Sequence, residues 1–197
     1  MKILDDFLPI KKSQHIENIL THSNFPWFLS EVRGQTTTDR DIKKLKKIKF
    51  KNINLIKEST QFCHIFYRYD EYERNLKHSS QHVLIDTILD KLKTNNKIIR
   101  AKANYLPQSY SFNKKNFNTP HIDFEEINHK VILYYVNDSD GDTFFFNKKG
   151  NIIKKIKPKK NRCIIFDGDV FHASSNPIKS KDRIVINIDL EKWNIIL

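Results

Sequence analysis

The 197 residues of this chain suffice for one domain with a sizeable core, and with only four glycines and six prolines no linker-like stretch divides them, so a single domain over 1–197 is expected. No apolar run approaches the length of a membrane span, and Met1-Lys2-Ile3-Leu4-Asp5-Asp6 lacks the apolar core of a secretory signal, so a soluble cytoplasmic protein without membrane contact is expected. The formal charge of +12 admits a nucleic-acid partner, yet a chain rich in Lys, Ile and Asn and poor in Gly and Ala reaches such a charge through coding bias alone.

Residues 1–97 read as a support region of helices and strands. Met1 to Leu8 is a short strand or arm closed by Pro9, and Ser13 to Thr21 places Ile16, Ile19 and Leu20 at helical spacing. Phe25-Pro26-Trp27-Phe28 is a dense aromatic group whose proline opposes helix; it anchors the core. Between Asp39 and Lys51, Ile42, Leu45 and Ile48 alternate with lysines at 43, 44, 46, 47, 49 and 51, the mark of a solvated helix face and the first candidate surface for nucleic acid. Phe62 to Tyr67 is rich in aromatic and β-branched residues and predicts a strand. A helix capped by Ser79 or Ser80 follows to Lys93, burying Val83, Leu84, Ile85, Ile88, Leu89 and Leu92, and Asn95-Asn96 ends it. His78 and His82 flank its start as partly exposed side chains.

From Lys97 the pattern turns to short strands separated by turns, over Ile98 to Leu106, Val131 to Val136, Asp142 to Phe146, Ile152 to Ile156, Cys163 to Phe166 and Arg183 to Leu190. This predicts an α+β, mainly β fold: a double-stranded β-helix, or cupin-like jelly roll, over 98–190, with the two N-terminal helices packed outside one sheet. Asp138-Ser139-Asp140-Gly141-Asp142 resembles a calcium loop in composition only. Its sixth and twelfth places hold Thr143 and Lys149 where glycine and glutamate are needed, so a hairpin turn is predicted. Cys63 and Cys163 form no Cys-x-x-Cys pair and are expected as reduced thiols.

The chemistry is concentrated in Thr119-Pro120-His121-Ile122-Asp123, in Phe171-His172 about fifty residues later, and in Arg183 about ten residues beyond that. In a strand, His121 and Asp123 point to one side, and a second imidazole from His172 completes a two-histidine, one-carboxylate triad. Such a triad covers one face of an octahedron and leaves positions open, as non-haem Fe(II) oxygen chemistry requires. Arg183 opens an alternating segment and offers planar, bidentate recognition of a carboxylate.

In this order and spacing the residues resemble the Fe(II)- and 2-oxoglutarate-dependent dioxygenases, over about residues 98 to 190. Leu133-Tyr134-Tyr135-Val136-Asn137 followed by Asp140-Gly141-Asp142-Thr143 looks most like the prolyl-hydroxylase-like branch. The resemblance implies that His121, Asp123 and His172 hold Fe(II), that 2-oxoglutarate and O2 fill the remaining positions, and that ascorbate assists. It implies further that the far carboxylate of 2-oxoglutarate meets Arg183 and the Tyr135 hydroxyl, with Tyr105 as another contact. Asn187 should share a strand face with Arg183 and touch the cosubstrate or satisfy a buried partner, while Lys102 and Asn104 lie on the strand face opposite Tyr105.

The implied activity is hydroxylation of a C–H bond, with succinate and CO2 released, on a protein or peptide side chain. Oxidation of nucleic acid is the alternative, motivated by the lysines at 43–51 and 154–160; a small metabolite is a third substrate class, and a non-catalytic jelly-roll binding module the reading from outside enzymology. The segment from Gln108 to Thr119, with Tyr110, Phe112 and Phe117, is expected to overhang the pocket, and its Asn-Lys-Lys-Asn run to be mobile.

Overall fold

The computed structural model describes residues 1–29, 42–70, 75–94 and 96–191. In chain order its elements are β1 (Lys2–Leu4), α1 (Ile10–Leu20), β2 (Phe28–Leu29), β3 (Phe62–Asp70), β4 (Asn75–His78), α2 (Val83–Leu92), β5 (Ile98–Pro107), β6 (His129–Tyr135), β7 (Thr143–Phe146), β8 (Ile152–Ile156), β9 (Arg162–Asp167), β10 (Phe171–Ser174) and β11 (Asp182–Glu191). Residues 42–47 are helical as well. No helix among the described residues is long and apolar enough to cross a membrane.

Alternation in β11 organises the molecule. Ile184, Ile186, Ile188 and Leu190 point to one side of the sheet, and Arg183, Val185, Asn187 and Asp189 to the other, all of them buried. A strand covered on both faces belongs at the centre of a sheet. β11 lies between β5 and β6 in an eight-stranded antiparallel sheet of order β1-β9-β6-β11-β5-β3-β2, with β4 added on β3. A second sheet, β10-β7-β8, faces it, which makes the expected jelly roll.

The isoleucine face of the large sheet is covered by both helices. Ile16 and Leu20 of α1, and Leu84, Ile85, Ile88 and Leu92 of α2, join it in one apolar cluster, so the helices sit outside one sheet as their periodicity predicted, although Val83, expected in the buried face, is exposed at the start of α2. Between the sheets Val131, Leu133, Tyr135, Phe145, Ile164, Phe166 and Val185 form a second cluster. The outer face of the small sheet carries a third, in which Phe144 and Phe146 pack on Leu45, Phe50 and Phe117.

Helix starts differ from expectation because two serines have other partners. α1 begins at Ile10 behind Pro9, and Ser13 lies buried within it, accepting a hydrogen bond from Tyr134 OH at 3.1 Å. Ser79 bonds the His64 ring at 3.0 Å and accepts from the Gln81 N–H, so α2 begins only at Val83, after a turn. Of the other expected segments, residues 39–41 and Asn95 lie outside those described.

The predicted hairpin at 138–142 is a crossing between sheets, since β6 belongs to the large sheet and β7 to the small one. Asp140 fastens that crossing: its carboxylate accepts the backbone N–H groups of Ile178, Lys179 and Ser180, just ahead of β11. The segment 108–119, whose Asn-Lys-Lys-Asn run was expected to be mobile, is tied to the body of the domain at Asn116 and Phe117. Phe112 and Phe117 are buried, the Phe117 N–H bonds Leu55 O, and Asn116 reaches the same carbonyl, which leaves Tyr110 as its exposed aromatic.

Candidate active site

His121 and His172 stand directly opposite each other. Each donates its backbone N–H to the other's carbonyl at 3.0 Å, an isolated antiparallel bridge that brings their rings to 4.7 Å between centroids. The expected strand over His121–Asp123 does not form: His121 makes this single bridge, and Asp123 lies in a bend. Convergence therefore comes from the bridge and the bend, not from strand alternation. One donor atom from each of His121, Asp123 and His172 lies within 4.8 Å of the other two.

The donor set fits a divalent metal. A carbonyl oxygen can only accept, so Nδ1 of His121 must donate to Thr119 O at 3.0 Å and Nδ1 of His172 to Val170 O at 3.1 Å. That assigns the tautomer of both rings and leaves each Nε2 as the ligating atom, 4.0 Å (His121) and 3.4 Å (His172) from oxygens of Asp123.

Asp123 is itself held. Arg100 Nη2 donates to Oδ1 at 2.5 Å, while Oδ2, the oxygen turned to His172, has Asn187 Nδ2 at 3.4 Å. Arg100 also pairs with the buried Asp189, its Nε at 3.1 Å and Nη2 at 2.9 Å from Oδ2. Burial opposes ionisation of Asp123, but His172, Arg100 and His121 outweigh it and hold this carboxyl well below the usual range. Burial and the nearby Asp123 charge push Asp189 the other way, upward, against Arg100. Asn187 Oδ1 and Asp189 Oδ1 are buried here without a hydrogen-bond partner.

A second group of buried polar side chains is joined to this centre through the apolar cluster between the sheets, in which Phe166 packs on the His172 ring and Tyr135 takes part. Arg183, 2% exposed, donates from Nε to Gly141 O and from Nη2 to Thr143 Oγ1, both at 2.8 Å. Tyr135 OH shares Thr143 Oγ1 at 2.7 Å, and the guanidinium carbon lies 5.7 Å from the Tyr135 ring centre. Burial raises the Tyr135 pKa in spite of Arg183, so the phenol stays protonated and able to donate. A Cβ on Gly141 would stand 2.4 Å from Ser175 O and 3.1 Å from Arg183 Cδ, so only glycine lets the arginine seat this closely. A fixed guanidinium with two hydroxyls at hand is a set of groups able to receive a carboxylate.

Tyr105 lies elsewhere. It is opposite Ile184 on the helix-covered face, its ring 5.5 Å from Trp27, and it lines a cavity of about 520 Å³ with Asp182 and Asn137. The strand parity of β5 excludes it from the space between the sheets. Lys102 and Asn104, opposite Asn187 and Val185, face that space. Asn187 shares the face of Arg183, as expected, and of its two expected roles its amide takes that of meeting a buried polar partner, Asp123. Sequence reasoning missed Arg100, Thr143 and Asp189. Arg100 and Asp189 are directly opposite each other on β5 and β11, and a signal existed: Arg100, Lys102 and Asn104 alternate with Ala101 and Ala103 in a strand too central to be solvated.

Residues 107–189 match the family model of the 2OG-Fe(II) oxygenase superfamily. No curated protein matches the chain significantly. Among solved structures, an oxidoreductase of the 2OG-Fe(II) oxygenase family from Burkholderia pseudomallei is similar in fold, with 12% identity, TM-score 0.50, 69% of this chain and 68% of the other covered. A Pseudomonas putida prolyl-4-hydroxylase aligns at 14% identity and TM-score 0.42, covering 93% and 100% of the two chains. A Trichoplax adhaerens prolyl hydroxylase, solved with a hypoxia inducible factor peptide, aligns at 15% identity and TM-score 0.44, covering 92% and 91%.

Proposed function

We propose that this chain, whose residues 107–189 match the family model of the 2OG-Fe(II) oxygenase superfamily, is a 2-oxoglutarate-dependent dioxygenase that hydroxylates a C–H bond of a protein or peptide side chain. The observation that carries this is the gathering of two Nε2 atoms and one carboxylate within 4.8 Å, with a buried arginine seated on Thr143 and Gly141 on the same face of β11 as Asn187, which meets that carboxylate. The peptide preference rests on the likeness of 133–137 and 140–143 to the prolyl-hydroxylase-like branch.

Fe(II) with 2-oxoglutarate and O2 supplies oxidative decarboxylation coupled to C–H hydroxylation, with succinate and CO2 as coproducts. His121 Nε2, His172 Nε2 and Asp123 Oδ2 would hold the metal, with Thr119 and Val170 fixing the ring tautomers. Arg100, by occupying Oδ1, presents Asp123 through a single oxygen. Arg183 and the hydroxyls of Tyr135 and Thr143 would receive the far carboxylate of 2-oxoglutarate and orient its keto acid end toward the metal. Phe145, Phe166 and Val185 keep water from the space between the sheets.

The test is turnover by the purified protein with Fe(II), ascorbate and 2-oxoglutarate, read as succinate release and as a gain of one oxygen in candidate peptides by mass spectrometry. Failure to bind 2-oxoglutarate in the presence of metal would sink the proposal. A nucleic-acid substrate is favoured by one feature: Lys51 N–H bonds Lys149 O and Lys155 Nζ bonds Lys114 O, which gathers four lysine-bearing segments around the small sheet. Single-strand binding that weakens steeply with salt would support that second reading.

A further inference from the structure

The small sheet covers only part of the large one. The apolar cluster between the sheets draws on β9, β6 and β11, and no residue of β5, β3 or β4 belongs to it. Strand register shows what lies on the uncovered part. Arg100 and Lys102 of β5 stand opposite Asp189 and Asn187, on the face of the metal ligands. Continuing outward on that face, Arg68 of β3 is opposite Arg100 and Lys77 of β4 is opposite Arg68, while Ile65 is opposite Lys102. The row Asp189–Arg100–Arg68–Lys77 thus runs from the metal centre to the outermost strand, at about 5 Å per step. Its outer end is open, since Arg68 and Lys77 are exposed and Ile65 is 40% exposed.

This row sets three cations side by side, and like charges directly opposite each other on neighbouring strands repel. Arg100 is compensated by Asp123 and Asp189, both buried beneath it. Arg68 is not: among the described residues no carboxylate lies at ion-pair distance from it. A lysine-rich composition scatters lysines over the whole surface, but it does not place an arginine against a second arginine and then a lysine against that. Lys102, one step along the strand, adds to the same positive field. The face therefore lacks an anion at a place continuous with the metal centre. The aromatic rings beside it are engaged, Phe124 carrying the Arg100 guanidinium 4.7 Å from its centre and Phe28 stacking on His64 at 6.3 Å, which leaves a base no platform. Ile65 instead offers an aliphatic floor, and a guanidinium matches the planar fork of a carboxylate.

We infer, on the oxygenase reading of the neighbouring centre, that this open end of the inner face docks the substrate, and that the substrate is an acidic peptide segment whose carboxylates sit on Arg68 and Lys77. The row leads from those two residues to Arg100, which touches Asp123, so a peptide held at its outer end places an adjoining residue at the metal centre.

The experiment titrates full-length protein loaded with Mn(II), first with 2-oxoglutarate and then with three capped peptides identical except at their polar positions, which are all glutamate, all glutamine or all lysine. The glutamate peptide should bind about fivefold more tightly than the glutamine peptide, the effect of two exposed charge pairs, and the lysine peptide more weakly than either. The double variant Arg68→Gln, Lys77→Gln should erase that difference. Lys148→Gln, Lys154→Gln removes the same charge from exposed positions at the small sheet and should preserve it, with thermal midpoints as the control for folding. Equal binding of the glutamate and glutamine peptides, no binding of either, or a preference that survives Arg68→Gln, Lys77→Gln overturns the inference while 2-oxoglutarate binding stands. Oligothymidylate that binds more tightly than the glutamate peptide, and through Arg68 and Lys77, overturns it in favour of nucleic acid. No 2-oxoglutarate binding by the wild-type protein overturns the oxygenase reading and the substrate role with it.

Discussion

The two faces of the eight-stranded sheet are built from the same strands and have opposite contents. Toward the helices, β11, β5, β6 and β9 present Ile184, Ile186, Ile188, Ala101, Ala103, Ile132 and Cys163, closed by α1 and α2 into an apolar layer. Toward the small sheet the alternate residues of β11 and β5 are Arg183, Asn187, Asp189, Arg100, Lys102 and Asn104, among Val185, Leu133 and Tyr135. Polar groups are costly to bury unless they bind one another, and on this inner face they form two linked sets, Asp189–Arg100–Asp123 and Arg183–Thr143–Tyr135. The outer face supplies stability. The inner face is held by that stability in an arrangement that would not persist alone.

That contrast can be broken from either side. The largest effect is expected from His172→Ala, which should lower 2-oxoglutarate-dependent succinate release by at least about 100-fold, more than loss of a residue that merely orients a ligand, with little change in the unfolding midpoint. On the outer face, Ile188→Ala should cost about 2–5 kcal/mol in denaturant unfolding and leave the 2-oxoglutarate affinity of the folded fraction unchanged. Arg100→Met sits at the junction: it removes the clamp on Asp123 and leaves two buried carboxylates facing each other. Cobalt titration should show metal affinity lower by about 10- to 100-fold. Tyr105→Phe should leave the KM for 2-oxoglutarate within about twofold, because a surface-directed hydroxyl on the helix side touches nothing in the site, whereas Tyr135→Phe should raise it. The smallest is a difference in labelling. Burial pushes the Cys163 thiol on the helix side up to about 12, so iodoacetamide at neutral pH should modify the half-buried Cys63 and spare Cys163 until the protein unfolds.

Strand positions were legible wherever two-residue alternation ran long, as in β11 and β5, and the α1 and α2 helices wherever apolar residues recurred at helical spacing. Short elements were legible only in part: the apolar runs of β7 and β8 were read, and others were not. β10, four residues long, is too brief to show a period, yet it carries His172, and β2 and β4 were missed for the same reason. Spacing singled out His121, Asp123, His172 and Arg183, and the fold brings the first three together. Tyr105 was misplaced because proximity to a motif in sequence says nothing about strand parity, and a shift of one residue exchanges the two faces.

The sequence by itself determined the longer strands, the apolar faces of the two helices and the residues able to hold a metal, because these depend on periodicity and on side-chain chemistry that each residue carries anywhere. Only the tertiary structure decided that Arg100 of β5 meets Asp189 of β11, that a single backbone bridge sets His121 against His172, and that Arg68 of β3 and Lys77 of β4 continue the row from Arg100. Those are pairings between segments tens of residues apart. They are fixed by strand register and sheet packing, which act on the whole chain at once and leave no local mark in it.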